Sequence, residues 1–217
     1  MKPKDPAAIL KNGFTNLGLS WTQPLLDKFS LYSAELIRWN KRFGFINTDD
    51  PAELAIHMLD ALSGLPVLHS YQTPSPILDI GSGAGLPGLP LAFCLPDTTF
   101  FLCERKAKEA AFLRNIVLLT NTSNVTVLED LREIPASAGC AVFRAVKTID
   151  ELLPILSPVL RDDGIIFAYK ATLARIEEEK TVLEKKYSHI YVHKLVHPDA
   201  SRKRHAVVLK QQDRIRG

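Results

Sequence analysis

Leu25, Phe29, Tyr32, Leu36, Trp39 and Phe43 recur at steps of four, three, four, three and four. Apolar residues at that spacing form one stripe on an amphipathic helix over 23–43. Asp49-Asp50-Pro51 supplies an N-cap candidate and a first-turn proline for a second helix through Leu54, Met58 and Leu62, ending at Gly64. Residues 1–22 mix polar positions with Pro3, Pro6, Gly13 and Gly18, and predict irregular chain or a short helix. The first 70 residues therefore predict a helical cap without a strand, with Ser70 to Pro76 as the linker that follows. From Ile77 the pattern changes. Apolar runs predict strands at 77–80, 99–103, 125–128, 140–146 and 164–169, with helical stretches at 88–95, 106–120, 148–161 and 171–186. Strands separated by single helices imply a parallel sheet with right-handed crossovers. The last two strands, 189–196 and 204–210, are joined only by the turn around His197-Pro198-Asp199 and must be antiparallel.

A seven-stranded, mostly parallel sheet with one antiparallel strand is the pattern of class I Rossmann-like methyltransferases. The expected organisation is α/β, with residues 1–70 as an N-terminal cap of the same domain as a core at 71–217. The chain is organised around Ile77-Leu78-Asp79-Ile80-Gly81-Ser82-Gly83-Ala84-Gly85-Leu86-Pro87-Gly88. An apolar strand ends in a carboxylate, then four glycines allow positive φ and close approach of a ligand to the backbone. Strand, glycine loop and helix suit two ligands. Gly83-Ala84-Gly85-Leu86-Pro87-Gly88 matches the dinucleotide pattern G-x-G-x-x-G, but in that register Gly81-Ser82 would belong to the strand. For S-adenosylmethionine the strand ends at Asp79, and Gly81, Gly83, Gly85 and Leu86 bend under the methionine part. Asp79 would repel a pyrophosphate and attract an ammonium group, directly or through water. Glu104 ends the next strand, where an acid accepts from two ribose hydroxyls of either cofactor; an exposed pair with Arg105 or Lys106 is its structural alternative. Leu128–Glu133 lies where an adenine ring would be held, with Arg132 and Glu133 as candidate contacts and most of its charges solvated.

Composition narrows this picture only slightly. The 217 residues are 46% hydrophobic and 24% charged, the balance of a soluble globular protein. No apolar run reaches the roughly 18–20 residues of a membrane helix, and no apolar signal core follows the basic start, so a cytoplasmic protein is expected. Cys94, Cys103 and Cys140 are scattered without paired spacing, which points to buried thiols and to neither disulfides nor a metal site. The net charge of +3 says little about partners. Arg202, Lys203, Arg204, Lys210, Arg214 and Arg216 against the single Asp213 make the C-terminal stretch a candidate phosphate-following edge, or equally a solvated edge strand.

Asp79-Ile80-Gly81-Ser82-Gly83-Ala84-Gly85-Leu86-Pro87-Gly88 resembles the D-x-G-[ST]-G-x-G-L-P-G signature of the small-subunit rRNA methyltransferase G family, the glucose-inhibited division protein B family. Trp39-Asn40-Lys41 resembles its W-N-K, and His57 through Leu62 its H-x-x-D-S-L. Lys108 with Phe112-Leu113-Arg114 resembles K-x-x-x-F-L-R, Phe143-Arg144-Ala145 resembles S-R-A, Ala168-Tyr169-Lys170 resembles A-L-K-G, and Arg204-His205 resembles the R-H of the last strand. The chain departs from the pattern at Gly44, Ala61, Leu131 and Gly139, which bears on details of the adenine pocket.

The resemblance implies methyl transfer from S-adenosylmethionine to N7 of a guanine in 16S rRNA near the decoding region of the small ribosomal subunit. Guanine N7 has a lone pair and no proton to lose, so no general base is expected, and placement supplies the rate. Arg144 is the expected catalytic residue at the junction of cofactor and substrate, with an ion pair to Asp79 or Glu104 as its structural alternative. His57 and Asp60 share a helix face, and a local capping or pairing role is favoured over lining the cofactor pocket. Trp39 reads as core. Lys170, Arg202, Lys203 and Arg204 are the candidate RNA contacts, the last three because they cluster. A nicotinamide-dependent reductase and a non-catalytic RNA- or ribosome-binding module stand as alternatives. Nothing demands more than a monomer.

Overall fold

The computed structural model describes residues 5–72 and 74–215. Pro3, Arg216 and the basic start therefore lie outside the described residues. Four helices precede the first strand: α1 (Pro6–Asn16), α2 (Gln23–Phe43), α3 (Pro51–Leu62) and α4 (Leu65–Ser70). Each of the first three begins with a side-chain cap. Asp5 accepts from Ala7 N–H, Thr22 from Leu25 N–H and Asp50 from Ala52 N–H, with a proline in the first turn. Gly44, at φ +66°, ends α2 in the left-handed conformation that glycine tolerates. α1 is a full helix rather than irregular chain because Leu10 and Phe14 bury one face of it.

The core alternates β1 (Ile77–Ile80), α5 (Gly88–Cys94), β2 (Phe100–Cys103), α6 (Ala107–Leu119), β3 (Val125–Leu128), β4 (Ala138–Arg144), α7 (Ile149–Leu156), β5 (Leu160–Lys170), α8 (Leu173–Leu183), β6 (Tyr191–Leu195) and β7 (Arg204–Lys210). The sheet order is β3-β2-β1-β4-β5-β7-β6, parallel except for β7, which runs against both neighbours. The helix expected over 148–161 stops at Leu156, because Pro158 follows its end and Leu160 already pairs with Ala138 of β4. The strand expected over 140–146 ends two residues earlier, where Ala145 takes a positive φ of 56° and turns the chain out of the sheet.

The cap has no core of its own. Phe29, Tyr32, Leu36, Leu54, Met58 and Leu59 are buried in one apolar cluster with Phe93, Phe112 and Phe167 from the core helices and sheet. The opposite sheet face buries Phe101, Phe143, Ile166 and Val207 in one cluster with Leu152 of α7 and Ile176 of α8. Among the described residues no helix is long and apolar enough to cross a membrane.

Candidate functional site

The glycine loop is fixed by hydrogen bonds from several elements. Gly81 and Ser82 N–H both donate to Cys103 O at 2.9 and 3.2 Å, and Gly83 N–H donates to Glu104 Oε2 at 2.9 Å. The Tyr32 hydroxyl of α2 donates to Ala84 O at 2.5 Å, and Gly88 N–H donates to Asp79 Oδ2 at 3.0 Å. The glycines serve two ends. A Cβ on Gly85, at φ +93°, would lie 2.4 Å from Leu89 Cδ1, so packing requires its absence. A Cβ on Gly83, at φ +52°, would meet nothing closer than Gly81 O at 3.8 Å, and the space it leaves opens to a groove.

That groove, of about 870 Å3, lies over the ends of β1, β2 and β4. Gly81, Gly83, Glu104, Arg132 and Arg144 line it, together with Val146. Its size is that of a cofactor pocket. Asp79, Gly85 and Leu86 lie behind the lining, all buried, and Glu133 is outside it. Arg132 is exposed and paired with Asp130, whose carboxyl its hydrogen bonds hold down at about 2. The charges of this stretch are therefore solvated.

The residues present fit S-adenosylmethionine. Glu104 is buried and accepts one backbone N–H on each oxygen, from Gly83 at 2.9 Å and Lys106 at 3.0 Å. A carboxylate offers about four acceptor positions, so two remain for a ribose diol. Asp79 is fully buried, and its Oδ1 has no hydrogen-bond donor. Burial drives its pKa up to about 7, against the Ser82 hydroxyl and Gly88 N–H that favour the ionised form. An unpaired buried acceptor beside a glycine loop suits an ammonium group. Cys103 also lines the groove, with its thiol pushed up to about 11 by burial and then by Glu104, so it stays protonated.

Arg144, the last residue of β4, pairs with neither Asp79 nor Glu104. Its Nη1 donates to Asp60 Oδ2 at 2.9 Å, across to the cap. Arg204 at the start of β7 donates to the same carboxylate through Nε at 2.7 Å and Nη2 at 2.9 Å. His197 Nε2 lies 3.6 Å from Asp60 Oδ1, and the Tyr169 hydroxyl donates to Ala61 O at 2.6 Å. Asp60, 1% exposed, thus joins α3 to β4, β7 and the turn before β7, and the local role favoured for it is replaced by a long-range one. Burial and then the Arg144 charge lower the pKa of His57, one turn earlier. Sequence reasoning passed over the Asp60 hub and His197. A carboxylate inside the apolar run Met58-Leu59-Asp60-Ala61-Leu62 was the available signal.

A second groove of about 670 Å3 adjoins the first, and the two share Arg144–Lys147. Lys147, Tyr169, Lys170, Arg175 and Arg204 line it with Arg144. Lys170 is tied to Glu179 of α8 at 2.5 Å, and Arg204 is engaged by Asp60, so both are partnered within the chain. Arg202 and Lys203 are exposed, Arg202 with Asp199 at 3.4 Å.

The profile of the rRNA small subunit methyltransferase G (GidB) family matches residues 25–207. The chain is 34% identical over 180 residues to a ribosomal RNA small subunit methyltransferase G of Borrelia turicatae, covering 82% of this chain and 86% of the relative. It is 32% identical over 200 residues to the one of Xylella fastidiosa, covering 90% of each. Among solved structures, a human methyltransferase 10 domain containing protein superposes with a TM-score of 0.54 at 15% identity, over 70% of this chain and 81% of that one. A ribosomal protein L11 methylase from Lactobacillus delbrueckii subsp. bulgaricus superposes with a TM-score of 0.53 at 15% identity, over 71% and 78%. These two likenesses concern the fold.

Proposed function

The chain belongs to the rRNA small subunit methyltransferase G family, and we propose that it transfers the methyl group of S-adenosylmethionine to N7 of a guanine in 16S rRNA near the decoding region, acting as a monomer in the cytoplasm on the small ribosomal subunit or its RNA. That membership makes it an S-adenosylmethionine-dependent enzyme acting on rRNA. It gives no support to a nicotinamide reductase or to a non-catalytic module. The observation that carries the finer reading is the junction of the two grooves at Arg144.

When bound, the cofactor supplies an electrophilic methyl group on a sulfonium. The chain's residues then have three tasks. Glu104 would accept from the ribose hydroxyls, Gly81 and Gly83 would leave room for the methionine part, and Asp79, buried behind the loop, would favour its ammonium group through its charge. Arg132 would border the adenine end. The target nitrogen has a lone pair and no proton, so the remaining task is placement, which can contribute roughly 7–11 kcal/mol. Arg144 spends only Nη1 on Asp60. Its other N–H groups are the proposed donors to guanine O6, an edge that arginine suits. Arg202 and Lys203 are the proposed backbone contacts, while Lys170 and Arg204 shape the second groove through their partners.

Labelled S-adenosylmethionine incubated with the protein and either 30S subunits or naked 16S rRNA, followed by mapping of the label, tests this. Label at N7 of one guanine is expected. Label on another atom, or none on either RNA, would refute it.

A further inference from the structure

Helices α2 and α6 lie antiparallel, and their contacts run in register. Glu35 accepts from Asn115 at 3.0 Å, Trp39 packs on Phe112 at 5.7 Å between ring centroids, and Lys108 Nζ lies 5.0 Å over the Phe43 ring. Because α6 starts three residues after Glu104, this register brings the C-terminal end of α2 to the same rim as the cofactor groove.

That rim carries an uncommon combination. Arg42 lies 5.2 Å over the Phe43 ring, opposite in origin to Lys108. Phe43 and Phe45 stack at 5.7 Å with only 16° between their planes. The left-handed Gly44 between them lets the chain reverse, and Asn40 fixes the reversal by accepting from Ile46 N–H at 2.8 Å and donating to Thr48 O at 3.3 Å. The neighbouring Arg38 and Lys106 are neutralised by Glu35 and Glu109. Lys41, Arg42 and Lys108 make no ion pair among the described residues. A fold needs the aromatic packing; it has no need of two cations with unmatched charge seated on it.

We propose that Arg42, Phe43 and Lys108 form an RNA-docking platform, where the two cations seated on the Phe43 ring follow phosphates of the substrate strand. Cations without counter-charges, fixed in place by a shared ring, are what an RNA strand's phosphates require. The platform rests on the proposed function for its substrate. It lies on the α2–α6 side of the cofactor groove, away from Arg202 and Lys203, so RNA held at both places would straddle the cleft.

The test uses the full chain with Arg42→Ala/Lys108→Ala, Phe43→Leu and, as a control distant from the rim, Lys11→Ala. Affinity for 16S rRNA is measured across a salt series, alongside S-adenosylmethionine affinity and methyl-transfer kinetics. The double variant should bind RNA roughly ten-fold more weakly, with a salt slope lower by about 1.4, from two contacts at about 0.7 each. KM for RNA should rise with kcat and cofactor affinity unchanged, Phe43→Leu should weaken RNA binding without changing the slope, and the control should match the parent. Unchanged RNA affinity and slope in the double variant would overturn the platform even if methylation proceeds. RNA binding that falls as stated while the parent transfers no methyl group would leave the platform standing and overturn the proposed reaction.

Discussion

Asp60 and Arg144 lie 84 residues apart and share a hydrogen bond of 2.9 Å, with the carboxylate 1% exposed. The same carboxylate holds Arg204, so one buried anion balances two guanidinium groups. Removing it leaves both cations, partly buried at the walls of the grooves they line, without their counter-charge. Breaking a fully buried pair from one side costs about 3–5 kcal/mol, and the partial exposure of the two guanidinium groups puts this one at about 3 kcal/mol or less. Asp60→Asn is expected to lower the denaturant midpoint by that order. Adding Arg204→Gln should restore part of the loss, so that the double-mutant cycle is non-additive. Additive losses in urea titrations would show that the hub is not a unit.

Arg144→Lys keeps a charge but loses the fork that can serve Asp60 and a base edge together. Methyl transfer should fall by about two orders of magnitude, the scale of one lost transition-state donor. Cofactor affinity should stay within about three-fold, since Arg144 borders the cofactor groove without supplying its acceptors. Single-turnover transfer beside calorimetric cofactor binding checks this, and normal turnover would remove Arg144 from the reaction.

Asp79 titrates near 7 in the folded chain against 3.8 for the free side chain. Between these values the folded state binds a proton that the unfolded state has lost. Stability therefore falls as pH rises from about 4 to about 7 and is level above, by an upper bound of roughly 4 kcal/mol. Asp79→Asn should flatten that profile in urea titrations at pH 5 and 8. A cation placed against Asp79 favours its ionised form, so S-adenosylmethionine should bind the parent more tightly at pH 7.5 than at pH 6. Asp79→Asn should bind weakly at both, and a parent affinity indifferent to pH would contradict the ammonium role.

Gly83→Ala and Gly85→Ala separate the two tasks of the loop. The first adds a methyl group to open space at a positive φ, costing about 1–2 kcal/mol, and should fold while losing cofactor affinity. The second drives a methyl group to within 2.4 Å of Leu89 and should unfold the chain or lower its melting temperature far more. Thermal melts and cofactor titration distinguish them; equal melting temperatures would contradict the assignment.

The strand, loop and helix at 77–94 were legible because their signals are local: an apolar run, a carboxylate and glycines at fixed spacing. The register of α2 was legible for the same reason. The Asp60 hub was not, because Arg144, His197 and Arg204 reach it from distant strands and turns, and no periodicity links them. Helix α7 was overextended because Leu160 is apolar in either a helix or a strand, and only pairing with Ala138 decides. Lys170 read as a candidate RNA contact because its partner, Glu179, lies on the next helix and looks like one of several solvated acids in sequence.

The fastenings of the glycine loop set how much of the chain is ready at any moment. Tyr32, Asp79, Cys103 and Glu104 each hold a different point of it. The observed cofactor affinity equals the intrinsic one scaled by the fraction of molecules with the loop in place. Each tie that is lost lowers that fraction and adds to the ordering that binding must supply. The Tyr32 hydroxyl, which touches only the carbonyl behind the loop, therefore sets affinity without meeting the ligand, and the helical cap becomes part of the cofactor's binding constant.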